Sequence, residues 1–142
     1  MKSIVLVGVL IVCVIVLVGF QKTNNMKEKM DTDMDKAYKN LSEATFAGGC
    51  FWCTESDFEK IDGVVEVISG YVGGRTQNPT YKEVSSGGTG HAEAIRVRFD
   101  PQKITYDELL DIFWRHVDPT DSGGQFVDRG SQYRPAIFYH DE

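Results

Sequence analysis

The stretch TFAGGCFWCTE, residues 45–55, decides the fold of this chain. Residues 45–47 form a short apolar run that the glycine pair at 48 and 49 closes, which predicts a strand ending in a tight turn. Apolar residues then recur at helical spacing at positions 51, 58 and 61, and acidic residues lie early in the segment at positions 55 and 57. This pattern predicts a helix over residues 50–61. A strand, a turn and a helix therefore open the domain.

The remaining pattern completes a small mixed fold. A β-branched and aromatic run predicts a strand over residues 64–72, and alternation of apolar and polar residues predicts another over residues 91–99. Thr105 and Glu108 form a capping box that predicts the start of a second helix, and residues 136–139 predict a last short strand. The order β-α-β-β-α-β predicts an α+β two-layer sandwich of ferredoxin-like type.

Two segments between these elements, residues 75–90 and 119–134, are predicted as long loops. The first is rich in Gly, Ser, Asn and Pro. Long loops on a compact domain are more often functional than idle. We therefore expect functional residues in both.

Charge and composition exclude several classes of protein. The chain has 142 residues and a formal net charge of −6, with +1 over residues 1–43 and −7 over the remainder. An acidic domain without a basic cluster is not expected to bind nucleic acid. An apolar content of 42% with three cysteines also excludes collagen-like, disordered and disulfide-scaffold proteins.

The N-terminal part is predicted to be a targeting segment. Residues 4–20 are uncharged and almost wholly apolar, and no clear cleavage site follows, so we predict a signal anchor or transmembrane segment over residues 1–20. Residues 21–43 are predicted as a polar tether, and residues 44–142 as the globular domain. Lysines flank both ends of the apolar run, so charge alone does not orient it. We expect a membrane-anchored protein with its domain on the extracytoplasmic face.

Cys50 and Cys53 carry the chemistry that the residues themselves suggest. Cys50 begins the predicted helix, where unpaired N–H groups and the helix dipole favour the nucleophilic thiolate. Cys53 lies one turn further along and can form a disulfide with Cys50, as in redox-active CxxC pairs. The preceding glycines have no Cβ, so a substrate or a second thiol can approach closely.

Alternative uses of the two cysteines are less well supported. A zinc site needs further ligands, and the remaining histidines have no paired spacing, so we predict no metal. Covalent haem attachment requires a histidine at position 54, which is threonine. A purely structural disulfide would close too short a loop to stabilise the fold much. The aromatic pair Phe51 and Trp52 is also informative, because neighbours on a helix point about 100° apart and one can form an apolar wall beside the thiol.

Four motifs resemble those of the A-type peptide methionine sulfoxide reductases. They are GCFWCTE, GYVGGRTQNPTYKEVSSGGTGHAEAIRVRFDP, FWRHVDPT and DRGSQYRPAIFY, and the resemblance covers residues 44–140. It implies reduction of the S epimer of methionine sulfoxide, free or in proteins. It also implies no prosthetic cofactor, with thioredoxin or a similar dithiol as the external reductant.

The resemblance further implies a role for individual residues. Cys50 corresponds to the nucleophile that attacks the sulfoxide sulfur, and Phe51 and Trp52 to the walls that hold the S-methyl group. Glu93 corresponds to the acid that hydrogen-bonds and protonates the sulfoxide oxygen, a role that requires a raised pKa. Three supporting residues are the hydroxyl donors Tyr81 and Tyr133 and the acid Asp128 near the cysteine.

The chain departs from the family pattern in two respects. Many members have glycine at the position of Cys53 and resolve the sulfenic acid with cysteines in a C-terminal tail, whereas this sequence has no cysteine after Cys53. We therefore expect Cys53 to be the resolving thiol, in a disulfide with Cys50 that thioredoxin reduces. The family also usually continues beyond the position of Glu142, so we expect this chain either to be truncated at its C-terminus or to lack an accessory C-terminal segment.

Two other functions remain open from the sequence. One is a membrane-tethered thiol–disulfide oxidoreductase that acts on protein disulfides rather than on sulfoxides. The other is a binding module in which the CxxC pair is structural. The second would keep its function when Cys50 is replaced by serine.

Overall fold

The computed structural model describes residues 21–32, 34 and 38–140. The signal anchor predicted over residues 1–20 lies outside these residues and stays a prediction. Among the described residues, none of the helices has the length and apolar character to cross a bilayer. The chain separates into two compact units, Met1–Asn40 and Leu41–Glu142. In the first unit, residues 21–32 are helical and exposed.

The second unit contains a four-stranded sheet with two long helices. Its elements in chain order are β1 (Ser42–Ala47), α1 (Phe51–Phe58), β2 (Val64–Val72), α2 (Tyr81–Ser85), β3 (Ala92–Phe99), α3 (Tyr106–His116), β4 (Gly124–Gln125), β5 (Asp128–Arg129), a 3₁₀ helix (Ser131–Tyr133) and β6 (Ala136–Phe138). The main sheet has the order β2-β3-β1-β6, and every neighbouring pair in it is antiparallel. This arrangement confirms the predicted α+β class and the β-α-β-β-α-β order.

Phe46 in β1 is the centre of the hydrophobic core. Its ring centroid lies 5.4 Å from that of Phe58 in α1 and 5.1 Å from that of Phe113 in α3. All three side chains are completely buried. The two helices therefore pack on the same face of the sheet, which is the predicted two-layer arrangement.

The predicted capping box at the start of α3 is present. The Glu108 N–H donates to Thr105 Oγ1 at 3.2 Å, and the Thr105 N–H donates to Glu108 Oε2 at 2.8 Å. These two bonds pair backbone donors that the first helical turn leaves without a partner. The hydrogen bonds hold the pKa of Glu108 below its ordinary value.

The prediction of two long unstructured loops is wrong in part. Residues 75–90 contain α2, which begins at a second capping box formed by Thr80 and Glu83. Residues 119–134 contain the β4–β5 hairpin and the 3₁₀ helix. A five-residue helix is too short to show helical periodicity, and two-residue strands are too short to show alternation.

The helix predicted over residues 50–61 ends earlier, at Phe58. The chain then turns, because the Ile61 N–H donates to the Phe58 carbonyl and the Val64 N–H donates to the Ile61 carbonyl, both at 3.1 Å. Gly63 completes this turn with φ of +94°, a conformation that glycine adopts without steric cost. The turn directs the chain into β2, whose bounds agree with the prediction.

Candidate active site

Cys50 lies between the end of β1 and the first turn of α1. It is the N-cap residue, with φ −60° and ψ 116°, and its side chain makes no capping hydrogen bond. Its carbonyl accepts bonds from the Cys53 N–H at 3.1 Å, the Thr54 N–H at 3.2 Å and the Thr54 hydroxyl at 3.2 Å. The backbone at Cys50 is therefore fixed, while its half-buried thiol is not used in holding the helix.

The turn before Cys50 packs against Gln125 of β4. Gly49 has φ of +94°, and a Cβ at this position would lie 2.9 Å from Gln125 Cβ. Both the backbone conformation and the close approach therefore require glycine. This contact links the β4–β5 hairpin to the turn that carries Cys50.

Cys53 is exposed, and both thiols are free. A side-chain hydrogen bond with Cys50 and the charge of that sulfur raise the pKa of Cys53, and burial, Asp128 and Asp57 raise it further. Cys53 therefore keeps its proton more readily than an ordinary cysteine. The two cysteines line a cavity of about 290 Å³ together with residues that include Asp57 and Asp128.

Glu93 in β3 is a buried acid anchored beside Cys50. Its side chain is only 1% exposed, and its Oε2 accepts a hydrogen bond from the Phe51 N–H at 3.1 Å. Its other oxygen, Oε1, is buried without a hydrogen-bond partner among the described residues. Burial raises the pKa of Glu93, and the charge of Asp128 adds to this against the opposing effect of the Phe51 N–H. Such a carboxyl keeps its proton to higher pH than an ordinary glutamate, and the protonated form can donate a hydrogen bond.

Four aromatic side chains form a cluster next to this acid. The Phe51 ring lies 5.3 Å from Trp52, 5.7 Å from Tyr71 and 6.5 Å from Tyr81, measured between ring centroids. Trp52 and Tyr81 stack on each other at 5.8 Å. Phe51 is buried, whereas Trp52 is 61% exposed, so the cluster presents an apolar surface to solvent on one side of Cys50.

Tyr133 and Asp128 approach the same group of residues from the second long loop. Burial raises the pKa of Tyr133, and the charges of Glu93, Tyr81, Asp128 and Cys50 raise it further. The Tyr133 hydroxyl is therefore kept protonated as a hydrogen-bond donor. The structure brings the predicted residues from α1, α2, β3, β5 and the 3₁₀ helix together around Cys50.

Comparison with known proteins identifies the family. The profile of the peptide methionine sulfoxide reductase family matches residues 42–142. The peptide methionine sulfoxide reductase MsrA/MsrB of Vibrio cholerae is 66% identical over 107 residues, which are 75% of this chain and 28% of that protein. The chain belongs to the peptide methionine sulfoxide reductase A family. The resemblance predicted from the four motifs is thereby confirmed.

Further members of the reductase A family agree with this assignment. MsrA of Listeria monocytogenes is 59% identical over 104 residues, which are 73% of this chain and 59% of that protein. The structure of methionine sulfoxide reductase A of Corynebacterium diphtheriae superimposes with a TM-score of 0.70 at 38% identity, over 72% of this chain and 48% of that one. The structure of reduced Mxr1 of Saccharomyces cerevisiae superimposes with a TM-score of 0.69 at 39% identity, over 72% of this chain and 61% of that one. The chain thus spans between about a quarter and three fifths of these relatives.

Two residues of this reductase A site were not predicted from the sequence. Tyr71 in β2 lies directly opposite Glu93 in the β2–β3 ladder and contacts Phe51. Burial and the charge of Glu93 raise the pKa of Tyr71. Gln125 is the other, because it supports the turn that carries Cys50. The β-branched and aromatic run over residues 64–72 predicted the strand but not which face Tyr71 occupies, and only the register shows that it lies opposite Glu93.

Replacing Gln125 by alanine is expected to destabilise the second unit by about 2 kcal/mol, because buried polar groups lose their partners. Gln125 is 2% exposed, and its Oε1 accepts the Asp118 N–H at 2.7 Å. Its Nε2 donates to the carbonyls of Asp118 at 2.9 Å and Gly124 at 2.7 Å. Urea unfolding measures the change. The control is Gln102→Ala at an exposed position, which should change the free energy of unfolding by less than about 0.5 kcal/mol. Equal effects of the two substitutions would contradict a stabilising role for the buried hydrogen bonds of Gln125.

Proposed function

We propose that this chain reduces the S epimer of methionine sulfoxide, free or in proteins, to methionine. The observation that carries the proposal is the buried carboxyl of Glu93, whose pKa is raised. One of its oxygens accepts the N–H of the residue after Cys50, and the other has no hydrogen-bond partner within the described part of the chain. A sulfoxide oxygen is a poor leaving group until it is protonated. A nucleophile paired with a protonated acid meets that chemical requirement.

The first step joins Cys50 to the sulfoxide sulfur. The Cys50 thiolate attacks sulfur while Glu93 gives its proton to the oxygen, with the hydroxyls of Tyr81 and Tyr133 as further donors. With a second proton from solvent, the sulfur–oxygen bond then breaks and the oxygen leaves as water. A water molecule next attacks the Cys50 sulfur, which breaks the bond between the two sulfurs and returns one proton to solvent. The net result is methionine and a sulfenic acid on Cys50, so that the substrate sulfur gains the two electrons that the cysteine sulfur loses.

The aromatic cluster supplies the site for the apolar part of the substrate. Trp52 stacks on Tyr81 at the surface, and Phe51 lies beneath them. A methyl group on sulfur is small and apolar, so it is stabilised by contact with such rings. We propose that Phe51 and Trp52 hold this group while the sulfoxide oxygen faces Glu93.

The second step uses Cys53 as the resolving thiol. It lies one helical turn from Cys50, its side chain is exposed, and interaction with the Cys50 sulfur raises the pKa of Cys53. Attack of Cys53 on the Cys50 sulfenic acid forms the disulfide and releases water. A dithiol reductant such as thioredoxin then attacks the disulfide, leaving two thiols here and a disulfide in the reductant. The exposure of Cys53 makes it the accessible sulfur for that attack.

Cys53→Ser is expected to permit one round of reduction and then stop, with thioredoxin-driven turnover falling at least about a hundredfold. The hydroxyl cannot form a disulfide, so a sulfenic acid accumulates on Cys50. Mass spectrometry of dimedone-treated protein detects this species, and methionine release reports the first round. The control is Cys13→Ser, which removes a cysteine outside the GCFWCTE motif and should leave turnover within about twofold. Undiminished thioredoxin-driven turnover by Cys53→Ser would exclude the resolving role.

The function itself is tested by supplying separate epimers of N-acetylmethionine sulfoxide with dithiothreitol as reductant. We expect turnover of the S epimer only, because each class of reductase acts on one epimer. Insulin disulfide reduction is measured in parallel. Fast insulin reduction without sulfoxide turnover would instead identify a thiol–disulfide oxidoreductase, and turnover of the R epimer alone would refute the proposal.

A further inference from the structure

The methionines of this chain are confined to its N-terminal unit. The sequence contains four, at positions 1, 26, 30 and 34, and residues 41–142 contain none. The unit with the candidate active site therefore holds no thioether that an oxidant could convert to a sulfoxide. Three of the four methionines are instead concentrated in a short segment that precedes it.

These three residues form one exposed face, here called the methionine stripe: Met26, Met30 and Met34. Residues 21–32 and 34 are helical, and side chains four residues apart lie next to each other on a helix. The side chains are 64%, 62% and 53% exposed, respectively. An exposed methionine sulfur is open to oxidants in solution, unlike one within a core.

We propose that the methionine stripe is an oxidation site whose sulfoxides are substrates of the chain's own reductase unit, in the same or another copy. This inference rests on the proposed function. Two independent observations support it, namely the exposure of all three thioethers and the absence of methionine from residues 41–142. Oxidants thus have a target in the first unit of the chain, and the reductase chemistry that converts its sulfoxides back to methionine belongs to the second unit.

The chemistry of the cycle balances with a peroxide as the oxidant. Hydrogen peroxide transfers one oxygen to a stripe sulfur, which loses two electrons, and water is released. In the reverse direction, Cys50 and Cys53 supply two electrons and two protons. The products are methionine, water and the Cys50–Cys53 disulfide. Oxidation makes the side chains of the methionine stripe polar. The polarity of this face therefore depends on the balance between peroxide and reductant.

The experiment separates the substrate from the enzyme. The full-length Cys50→Ser chain is treated with hydrogen peroxide and freed of oxidant, and serves as substrate. The untreated full-length wild-type chain with dithiothreitol serves as enzyme, and peptide mapping by mass spectrometry follows the oxygen on each methionine. We expect all three to oxidise within about threefold of the rate of N-acetylmethionine, since more than half of each side chain is exposed.

We further expect the wild-type chain to remove about half of the oxygen at each stripe position, because peroxide produces both epimers and one reductase class acts on only one. Cys50→Ser as the enzyme should remove none. The Met26→Leu, Met30→Leu and Met34→Leu triple variant is the matched control, which should take up no oxygen between residues 21 and 40 while reducing N-acetylmethionine sulfoxide normally.

Two results would overturn the inference. One is slow oxidation of the stripe relative to N-acetylmethionine, which would show that the face is covered. The other is persistence of the stripe sulfoxides while the same wild-type preparation reduces N-acetylmethionine S-sulfoxide, which would leave the proposed function standing. Failure on both substrates would overturn the proposed function together with the inference.

Discussion

Replacing Cys50 by serine is expected to lower turnover of methionine S-sulfoxide at least about a thousandfold while the fold remains intact. The proposed first step needs a sulfur nucleophile that can accept oxygen, and a serine hydroxyl is neither ionised at neutral pH nor able to form a sulfenic acid. The Cys50 side chain makes no capping hydrogen bond. Its replacement therefore removes no hydrogen bond that caps the helix.

Stability provides an internal check on this substitution. Serine is a preferred N-cap residue because its oxygen can accept an N–H of the first helical turn, a bond worth about 1 kcal/mol. The backbone of Cys50 already has the extended N-cap conformation. Cys50→Ser should therefore melt at the wild-type temperature or slightly above it. Thermal unfolding followed by circular dichroism measures this.

The matched comparison is with Cys53→Ser, measured with one equivalent of enzyme per sulfoxide and no added reductant. Cys53→Ser should release about one methionine per chain, and Cys50→Ser should release none. Release of methionine by Cys50→Ser would remove Cys50 from the role of nucleophile. Loss of the folded state in Cys50→Ser would instead show that the thiol is structural.

The main elements of this fold could be predicted because their signals are local. Residues 64–72 are dense in β-branched and aromatic residues and end at a glycine pair, and β2 has these bounds. The capping box of Thr105 and Glu108 marked the start of α3 for the same reason, since its partners are three residues apart. Helix α1 was predicted too long because its end depends on the turn into β2.

The site was only partly predictable from residue patterns. Helical periodicity was enough to place Cys53 beside Cys50, because one turn separates them. The role of Glu93 depended on the family resemblance, since a glutamate in an alternating strand reads as solvated. Its burial follows from long-range packing: the strand lies between β1 and β2, and its carboxyl meets the backbone of Phe51.

Contacts between distant segments could not be predicted at all. Tyr71 faces Glu93 through the register of the β2–β3 ladder, and a shift of one residue would turn it to the other face. Gln125 supports the Cys50 turn through side-chain bonds to backbone groups of its own loop. Such bonds leave no periodic signal in a sequence, although they support the turn that carries Cys50.

Replacing Glu93 by glutamine is expected to lower turnover by about 10² to 10⁴, the usual contribution of a general acid. Glutamine has nearly the same shape, and its carbonyl can still accept the Phe51 N–H that now bonds to Oε2. Its amide can donate a hydrogen bond to the sulfoxide oxygen but cannot transfer a proton. The fold and substrate binding should therefore be retained, and the loss should fall on kcat rather than on KM.

The pH profile distinguishes proton donation by Glu93 from a positioning role. Burial raises the pKa of Glu93, so the acid keeps its proton to higher pH than an ordinary glutamate and loses it as the pH increases further. Wild-type kcat/KM should accordingly fall on the alkaline side, and Glu93→Gln should lose that fall. The matched control is Glu55→Gln in α1, whose carboxylate accepts the Ser69 hydroxyl at 2.6 Å. It should retain both the wild-type rate within about threefold and the alkaline fall. A glutamine side chain does not titrate. An unchanged alkaline fall in Glu93→Gln would therefore assign the titrating acid to another residue.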